Sequence, residues 1–545
     1  MGALLSAPDE TIVQILVFMP GKDIQRCRRV CRHLHELVDS TAQLQYLIEL
    51  GHLGYVEPVR PRSDLTYDQK AKLLREHRLR GASPSRTFTL DTTLPSKLGD
   101  TEAQTYAALC DGVYVEGFGS RPHGLIRHLK LYQLPSWNRG TELKKWALQL
   151  GMEAAHVDLN FDLNLLCLVE DQNARFDGVL NAAFKVHLCA LDSGGAHPGA
   201  ALPKLSWGEN QEIFSNDFGW DMSSHIVGNL LGILFSHEGS RINYLIVWDW
   251  PSGSKLLHLR NTGHTPGSFT IIYGKFVVNH RPAVRDYRAD PSIGYLDVYR
   301  LDRLDERPSP MVTLSLPLPH HYSDHRSSPF RASPPSSTPF DRIGIVSWYR
   351  PHPKLYEVGS DADHLCLIQF SFRSGTSGWL VIPSSTIYKI VMDCVANGLS
   401  DMTTISWESW GRQTSWVHVF EISSSPPLST FSSGLRTIVG ALTLTGDHTI
   451  IWDFNPHAIQ SRGYSTGPEH EAVLQVCFPK GVGPEAWGRR DSKARSPTVF
   501  DSMFFGDGNL ANQPFCVSSL TGEKDSVTRT MMQGEHSTYN QRKAG

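Results

Sequence analysis

The chain has no hydrophobic run long enough to cross a membrane. No stretch approaches the roughly 18 consecutive apolar residues that a spanning helix requires, and the N-terminus lacks the charged-then-apolar pattern of a secretion leader. The nine cysteines are scattered and form no Cys-x-x-Cys pair, which is typical of free thiols in a reducing compartment. We therefore expect a protein of the cytoplasm or the nucleus, without a membrane span.

An excess of charge of one sign is also missing. The formal net charge of −3 offers no attraction for a phosphate backbone, so nucleic acid is not expected as a partner. Arginines are nevertheless frequent in one short stretch, where they indicate a solvated helix face or a face that meets an acidic protein. They are Arg26, Arg28, Arg29 and Arg32.

Motifs that carry catalysis are lacking too. The sequence has no Gly-x-Ser-x-Gly elbow, no phosphate-binding loop and no His-Glu-x-x-His zinc helix. Cys27, Cys31, His33 and His35 form one Cys/His cluster, but the two cysteines share an apolar helix face, which favours buried thiols over zinc. We expect no catalytic residue, no cofactor and no metal site. A propeller hydrolase with clustered carboxylates is a weaker alternative.

The first fifty residues have a helical pattern unlike the rest of the chain. Ser6, Pro8 and Asp9 predict a capped helix start, and Pro20-Gly21 predicts the end of that helix. Three short helices would bury too little surface to be stable alone, so the remaining apolar face predicts a protein partner. The apolar residues at helical spacing are Ile12, Ile15, Leu16 and Met19, and then Ile24, Cys27, Val30, Cys31, Leu34, Leu37 and Val38.

This stretch resembles an F-box. The family pattern is matched, in order, by Ala7-Pro8, Ile15-Leu16, Asp23-Ile24 and Val30-Cys31-Arg32, and it departs at Ala7, where Leu is usual, and at Leu34, where Trp is common. The resemblance implies binding to a Skp-type adaptor protein and, through it, to a cullin. The residues expected at that interface, some of which must instead form the unit's own core, are Pro8, Ile12, Ile15, Leu16, Ile24, Cys27, Val30 and Cys31.

After residue 100 short β-prone runs separated by turns dominate. Leu245 to Asp249, the Pro251-Ser252-Gly253 turn and Leu256 to Leu259 follow the strand–turn–strand order of a propeller blade. Trp248-Asp249 and Trp452-Asp453 both stand where a strand is expected to end. The predicted fold class is therefore α+β and multidomain, with a short three-helix unit followed by a large all-β, propeller-like domain of six to eight blades.

The expected domain boundaries follow composition. We predict an F-box at 1–50, a helical connector at 51–100, a propeller-like domain at 101–515 and a disordered tail at 516–545. Residues 302–342 are rich in Pro, Ser, His and Arg, which predicts a disordered loop. The start Met1-Gly2 with Ser6 fits an N-myristoylation site, although a helix cap is the favoured interpretation of Ser6.

The body resembles a large group of F-box proteins of mushroom-forming fungi. The similar segments are residues 44–51, the Asp158-x-x-Phe161-Asp162-Leu163 stretch, Trp407-Glu408-Ser409-Trp410-Gly411 and Asp453-Phe454-Asn455-Pro456. The resemblance implies a substrate adaptor of a Skp–cullin–F-box ubiquitin ligase, whose β-domain binds a target protein. The alternative is a propeller scaffold for protein interactions with a vestigial F-box. Ordinary core packing is the favoured role of Trp407 and Trp410.

Overall fold

A computed structural model describes most of the chain as far as residue 453, and one strand beyond it. Within these residues no helix is both long enough and apolar enough to cross a membrane. The described residues are 6–53, 55–82, 102–110, 112–120, 125–136, 138–171, 175–176, 179–180, 182–209, 220–237, 242–262, 268–282, 294–302, 308–316, 325–327, 331–332, 353–358, 365–372, 377–398, 403–419, 430–433, 436–443, 446–453 and 516–521.

Four short helices form the N-terminal unit. They are α1 (Asp9–Val17), α2 (Gly21–Cys27), α3 (Arg32–Ser40) and α4 (Ala42–Leu53). The sequence predicted three helices, and the fourth completes the core by adding Leu44 and Ile48. Pro8 occupies the N-cap of α1 without a side-chain cap hydrogen bond, so the predicted capping box with Ser6 and Asp9 is wrong. Proline suffices there because its φ is already suited to a helix start.

Glycine at the start of α2 allows two helices of this unit to touch. A Cβ atom on Gly21 would lie 2.2 Å from the carbonyl oxygen of Leu47 in α4. No side chain fits at that distance, so the close approach of α2 to α4 requires glycine.

A connector of one short strand and one long helix follows. It contains β1 (Tyr55–Val56) and α5 (Tyr67–Ala82). The helix lies within the connector expected at 51–100. On its inner side Leu74 is buried against Tyr46 and Leu50 of α4.

Six sheets follow one another along the described part of the body. Sheet 1 contains β2 (Glu102–Cys110), β3 (Val113–Ser120), β4 (Leu125–Gln133) and β5 (Lys144–Ala154). Sheet 2 contains β6 (His156–Asn160), β7 (Leu165–Asp171), β10 (Ala182–Ala190) and β11 (Lys204–Glu209). Between β7 and β10 in the sequence, β8 (Arg175–Phe176) and β9 (Val179–Leu180) form a small separate hairpin. Sheet 3 contains β12 (Trp220–Val227), β13 (Leu230–His237), β14 (Ile242–Asp249) and β15 (Ser254–Thr262).

The later sheets repeat this plan with insertions. Sheet 4 contains β16 (Ser268–Ile272), β17 (Phe276–Pro282), β18 (Gly294–Arg300) and β19 (Val312–Ser315). Sheet 5 contains β20 (His325–Ser327), β21 (Arg331–Ala332), β23 (Leu365–Phe372), β24 (Ser377–Pro383) and β26 (Ser415–Val419), and β22 (Glu357–Val358) pairs with β1 instead. Sheet 6 contains β27 (Thr430–Ser433), β28 (Arg436–Thr443), β29 (Gly446–Asp453) and β30 (Cys516–Thr521).

An insertion between β24 and β26 packs against sheets 4 and 5. It consists of α6 (Ser384–Ala396), β25 (Thr403–Ile405), α7 (Trp407–Trp410) and a 3-10 turn (Gly411–Gln413). Strand β25 lies parallel to β19 and covers the outer edge of sheet 4. Trp407 and Trp410 are 5% and 1% exposed within the core of these two sheets, in agreement with the packing role expected for them.

Antiparallel four-stranded sheets in chain order are the blade plan of a propeller. The first strands of successive sheets lie next to one another, and side chains join them. The Tyr106 hydroxyl of β2 donates to the Val157 carbonyl of β6 over 2.8 Å, and Ser224 of β12 bonds both His156 and Asp158 of β6 at 2.7 Å. The predicted fold class, a short helical unit followed by a propeller-like β body, is confirmed.

Both Trp-Asp pairs stand where the pattern predicted. Trp248-Asp249 ends β14 and Trp452-Asp453 ends β29, each the third strand of its sheet. The Asp249 carboxylate accepts hydrogen bonds from the side chains of Asn229 and Ser252, and so links two neighbouring turns of sheet 3.

The segments predicted as disordered contain strands. Val312–Ser315 lies within the loop expected at 302–342, and Val312 and Leu314 are fully buried. Within that polar loop, the short alternating run of Val312–Ser315 forms a strand that pairs with β18 on one side and β25 on the other. Strand β30 occupies the first residues of the tail expected at 516–545. Residues 1–5 of the acylation motif, residues 454–456 of the closing motif and residues 522–545 lie outside the described residues.

Candidate protein-docking surface and its junction with the body

The eight residues expected to contact a partner fall into three groups. Ile12, Leu16 and Ile24 are at most 3% exposed and form the unit's own core, so they are not available to a partner. Cys27 and Cys31 are half-buried against that core. Pro8, Ile15 and Val30 are exposed, and the latter two expose 45% and 53% of their surface.

Sequence reasoning missed the most exposed apolar side chain of the unit. Phe18 follows α1 and is 90% exposed. It lies three residues after Ile15, a spacing that puts two helical side chains on one side. The sequence did contain a signal: Phe18 belongs to neither apolar stripe, so no intramolecular contact was expected for it. A large aromatic residue without such a contact indicates a binding surface. We use the name apolar patch for the exposed apolar residues of the unit, Pro8, Ile15, Phe18 and Val30, on the basis of their shared exposure.

Charges near the apolar patch are mostly neutralised within the unit. The hydrogen bonds from Arg28 lower the pKa of the Asp39 carboxyl. Arg29, next to Val30, is exposed and forms no ion pair with any described residue. The intramolecular pairs are Arg26–Asp23 at 2.7 Å, Arg28–Asp39 at 2.6 Å and Arg32–Glu36 at 2.8 Å. A partner that covers Val30 therefore meets the uncompensated positive charge of Arg29.

A segment that follows the first strands of sheet 5 in the sequence ties the helical unit to the body. Residues 353–358, which we call the strap, lie between β21 and β23 in the sequence. Tyr55 and Val56 of β1 pair with Val358 and Glu357 of the strap, and the Lys354 amide and carbonyl bond the backbone of residues 60 and 62 at 3.0 Å. The connector is thus hydrogen-bonded to a segment about 300 residues later in the chain.

Side chains of the helical unit fix the strap further. The Tyr46 hydroxyl of α4 donates a 2.5 Å hydrogen bond to the Leu355 carbonyl, and both residues are fully buried. The Tyr55 and Tyr356 rings stack with centroids 3.9 Å apart. Because the hydrogen bond is buried and both contacts are directional, they define one orientation of the unit on the strap.

A buried ion cluster fixes the other side of the strap. Lys354 and Asp162 form an ion pair with side chains 5% and 7% exposed, and Arg139 reaches the other Asp162 oxygen at 3.1 Å. Asn138 bonds the strap backbone at Leu355 and Tyr356. Asp162 belongs to a segment singled out in the sequence, and its role here is to accept two buried cations. Such charges are tolerated only when they are paired.

These contacts place the helical unit at one end of the sheets. Asn138 lies between the third and fourth strands of sheet 1, and Asp162 between the first and second strands of sheet 2. The strap lies between the first and second strands of sheet 5. In an antiparallel sheet these two kinds of connection lie at the same end. We call it the junction end.

Comparison with known proteins identifies the helical unit. Residues 5–45 match the F-box-like family. No curated protein matches the chain. Among solved structures, dihydro-heme d1 dehydrogenase NirN in complex with DHE aligns with 12% identity and a TM-score of 0.27 over 62% of this chain, which spans 61% of that chain. The WD40 domain of SCAP from fission yeast aligns with 9% identity and a TM-score of 0.26, over 64% of this chain and 80% of that one.

Proposed function

We propose that this chain is the substrate-recognition subunit of a Skp–cullin–F-box ubiquitin ligase. The apolar patch carries the proposal, because it is exposed on an F-box-like unit whose own core is already filled by other residues. The patch would bind a Skp-type adaptor, the adaptor would bind a cullin, and the β body would hold the target protein. The contribution of the chain is then positional, since it raises the effective concentration of the target near the ubiquitin donor.

The junction supports this positional role. A target held by the body reaches the ubiquitin donor reproducibly only if the body keeps one orientation on the adaptor-binding unit. The strap contacts both parts: the Tyr46–Leu355 hydrogen bond joins it to the helical unit, and the Lys354–Asp162 ion pair joins it to the body. These contacts favour one orientation of the body on the unit. A flexible connector would give the same affinity for both partners with a lower transfer rate.

The test is co-purification of the full chain with a fungal Skp-type adaptor. Replacing Ile15 and Phe18 by Asp removes apolar contact and introduces two charges, and we expect at least about 30-fold weaker binding, the scale of an interface hot spot. Leu202→Asp is the matched control, because Leu202 is 50% exposed in the body. Its adaptor binding should equal that of the unchanged chain. Circular dichroism checks that all three proteins are folded.

Full binding by the Ile15→Asp, Phe18→Asp variant would contradict the proposed docking surface. If the unchanged, folded chain does not bind the adaptor, the alternative of a scaffold with a vestigial F-box is favoured. The scaffold alternative is supported by the departure from the F-box pattern at Ala7, where Leu is usual. Ala7 packs beside the core of the unit. Leu34, the other departure, is only 5% exposed and is a core residue of α3. Cullin assembly and ubiquitin transfer by the purified complex would exclude the scaffold.

A further inference from the structure

Helix α4 belongs to two separate hydrophobic cores. One is the core of the helical unit, where Leu44 and Ile48 pack with residues of α1, α2 and α3. The other, which we call the second core, lies on a different side of α4 and includes the strap residue Leu355. Leu47 is partly buried against both cores, so α4 connects them directly. The buried members of the second core are Tyr46, Leu50, Leu53, Ala71, Leu74 and Leu355.

The strap completes the second core from outside the helical unit. Leu355 is fully buried in this cluster, although it lies 309 positions after Tyr46 in the chain. Tyr356 packs against the same cluster, and its ring stacks on that of Tyr55 with centroids 3.9 Å apart. When a buried leucine leaves such a core, the surrounding side chains relax only partly into the space. The packing of α4 and α5 is therefore complete only when the strap is in place.

Close backbone contact makes any displacement of α4 affect α2. Gly21 of α2 faces Gly51 of α4, since a Cβ atom on Gly51 would lie 3.1 Å from the Cα atom of Gly21. A Cβ atom on Gly21 would lie 2.2 Å from the Leu47 carbonyl oxygen. Backbones packed this tightly transmit strain and do not shift independently.

The apolar patch depends on the same packing. It belongs to the ends of α1 and to the turn that follows α2. Helix α1 is held through Ile12 and Leu16, which pack in the core that α4 completes with Leu44 and Ile48. A shift of α4 therefore changes the relative positions of the segments that carry the patch.

We infer that seating of the strap is energetically coupled to the arrangement of the apolar patch, and thereby to binding of the Skp-type adaptor. The inference rests on the proposed function, because it concerns the same docking surface. In the seated state the strap completes the second core, and in the released state the core loses Leu355 and the Tyr46 hydroxyl loses its acceptor. The adaptor binds the arrangement that the seated strap stabilises, so its apparent affinity falls with the fraction of seated molecules.

The body stabilises the seated state through groups outside the helical unit. Asn138, in the connection between β4 and β5, accepts hydrogen bonds from the Leu355 and Tyr356 amides at 2.9 and 3.0 Å. Its amide nitrogen also donates to the Tyr356 carbonyl at 3.2 Å. The buried Lys354–Asp162 ion pair adds to these bonds. A change in the body that alters these contacts would therefore change adaptor affinity without touching the docking surface.

Asn138→Ala in the full-length chain tests the coupling, because it loosens the strap and leaves every residue of the helical unit unchanged. Isothermal titration with a fungal Skp-type adaptor should show at least about threefold weaker binding, which corresponds to a seated fraction of about one third. Leu355→Ala, which removes packing from the second core, should weaken binding as well. Leu314→Ala is the matched control, because Leu314 is equally buried but belongs to the core of sheets 4 and 5. Its adaptor affinity should equal that of the unchanged chain, and thermal unfolding checks the fold of each variant.

Hydrogen exchange gives a second readout. Without adaptor, the amides of α1 and α2 should exchange faster in Asn138→Ala than in the unchanged chain. Bound adaptor should in turn slow exchange of the strap amides, because coupling is reciprocal. Unchanged adaptor affinity in both strap variants would overturn the inference, and so would an equal loss in Leu314→Ala. If the unchanged chain does not bind the adaptor, the proposed function fails, whereas exchange in α1 and α2 still decides whether the strap and the patch are coupled.

Discussion

Tyr46 and Leu355 are 309 positions apart in the sequence and share a buried 2.5 Å hydrogen bond. The donor belongs to helix α4 of the helical unit and the acceptor to the strap. The bond therefore joins two parts of the molecule that are distant in sequence and differ in fold. Because water does not reach this site, loss of the donor leaves a carbonyl oxygen without a partner.

Tyr46→Phe should lower the free energy of unfolding by about 1–2 kcal/mol, because it removes this donor and keeps the ring. Urea denaturation followed by tryptophan fluorescence measures the change. Tyr67→Phe is the matched control, since its hydroxyl lies in partly buried surroundings and makes only long contacts of 3.4 and 3.5 Å to Gln43 and Glu57. Equal decreases in the free energy of unfolding of the two variants would show that the Tyr46 hydrogen bond stabilises the protein no more than the long contacts of Tyr67 do.

Asp162→Asn should be more damaging, because it leaves Lys354 and Arg139 buried near each other without a counter-charge. Removing one partner of a buried pair typically costs about 3–5 kcal/mol. We expect faster proteolytic cleavage between the helical unit and the body, measured by mass spectrometry of limited digests. Glu153→Gln breaks an ion pair with Arg127 whose two side chains are 51% and 41% exposed, and it should leave the digest unchanged. An unchanged digest for Asp162→Asn would argue against the cluster as the fixing element.

Stability should fall as the pH drops below about 6.5, because burial lowers the pKa of His156, His225 and His280 to about 4. Their folded-state pKa lies below the ordinary value of 6.5, so the unfolded chain binds more protons between these two values. The full stability is present above pH 6.5 and is lost progressively toward pH 4. We expect a loss of about 2 kcal/mol per histidine by pH 5.

Urea midpoints at pH 7.5, 6.5, 5.5 and 5 test this dependence, above the range in which most carboxylates titrate. His225→Gln removes one titrating ring and should make the curve shallower. A midpoint that stays constant from pH 7.5 to 5 would show that these rings do not remain neutral because of burial.

Gly21→Ala should destabilise the helical unit by about 1–3 kcal/mol, the usual cost of forcing extra volume into a packed site. The added Cβ would collide with the Leu47 carbonyl, which is backbone and cannot rotate away. Hydrogen exchange of the amides in α2 and α4 measures the effect locally. Gly151→Ala is the control, because a Cβ there has no atom within 4 Å. Similar exchange in both variants would refute the close-packing argument.

Local periodicity predicted the helical unit but not which of its residues remain exposed. Ile12, Ile15 and Leu16 fit one stripe, yet Ile15 is 45% exposed while the other two are buried. Periodicity identifies residues that share a face, whereas the edge of the buried area depends on where α3 and α4 pack. Which residues of a stripe are buried and which remain exposed depends on tertiary packing, so local periodicity does not predict it.

The β body was predictable as a class because each strand is short, apolar and bounded by turns. The strap was not, since Lys354 lies in a polar, proline-rich region and Asp162 is 192 positions before it. No local pattern indicates that these two residues pair.

The strap also affects when the helical unit can complete its contacts during synthesis at the ribosome. The helical unit is synthesised first, but Leu355, the hydrogen-bond partner of its Tyr46, emerges only after some 309 further residues. At roughly 5–20 residues per second, the unit waits on the order of 15–60 seconds for the segment that orients it. During that interval its α4 surface around Tyr46 is uncovered, and nascent-chain chaperones have access to a face that the finished protein hides.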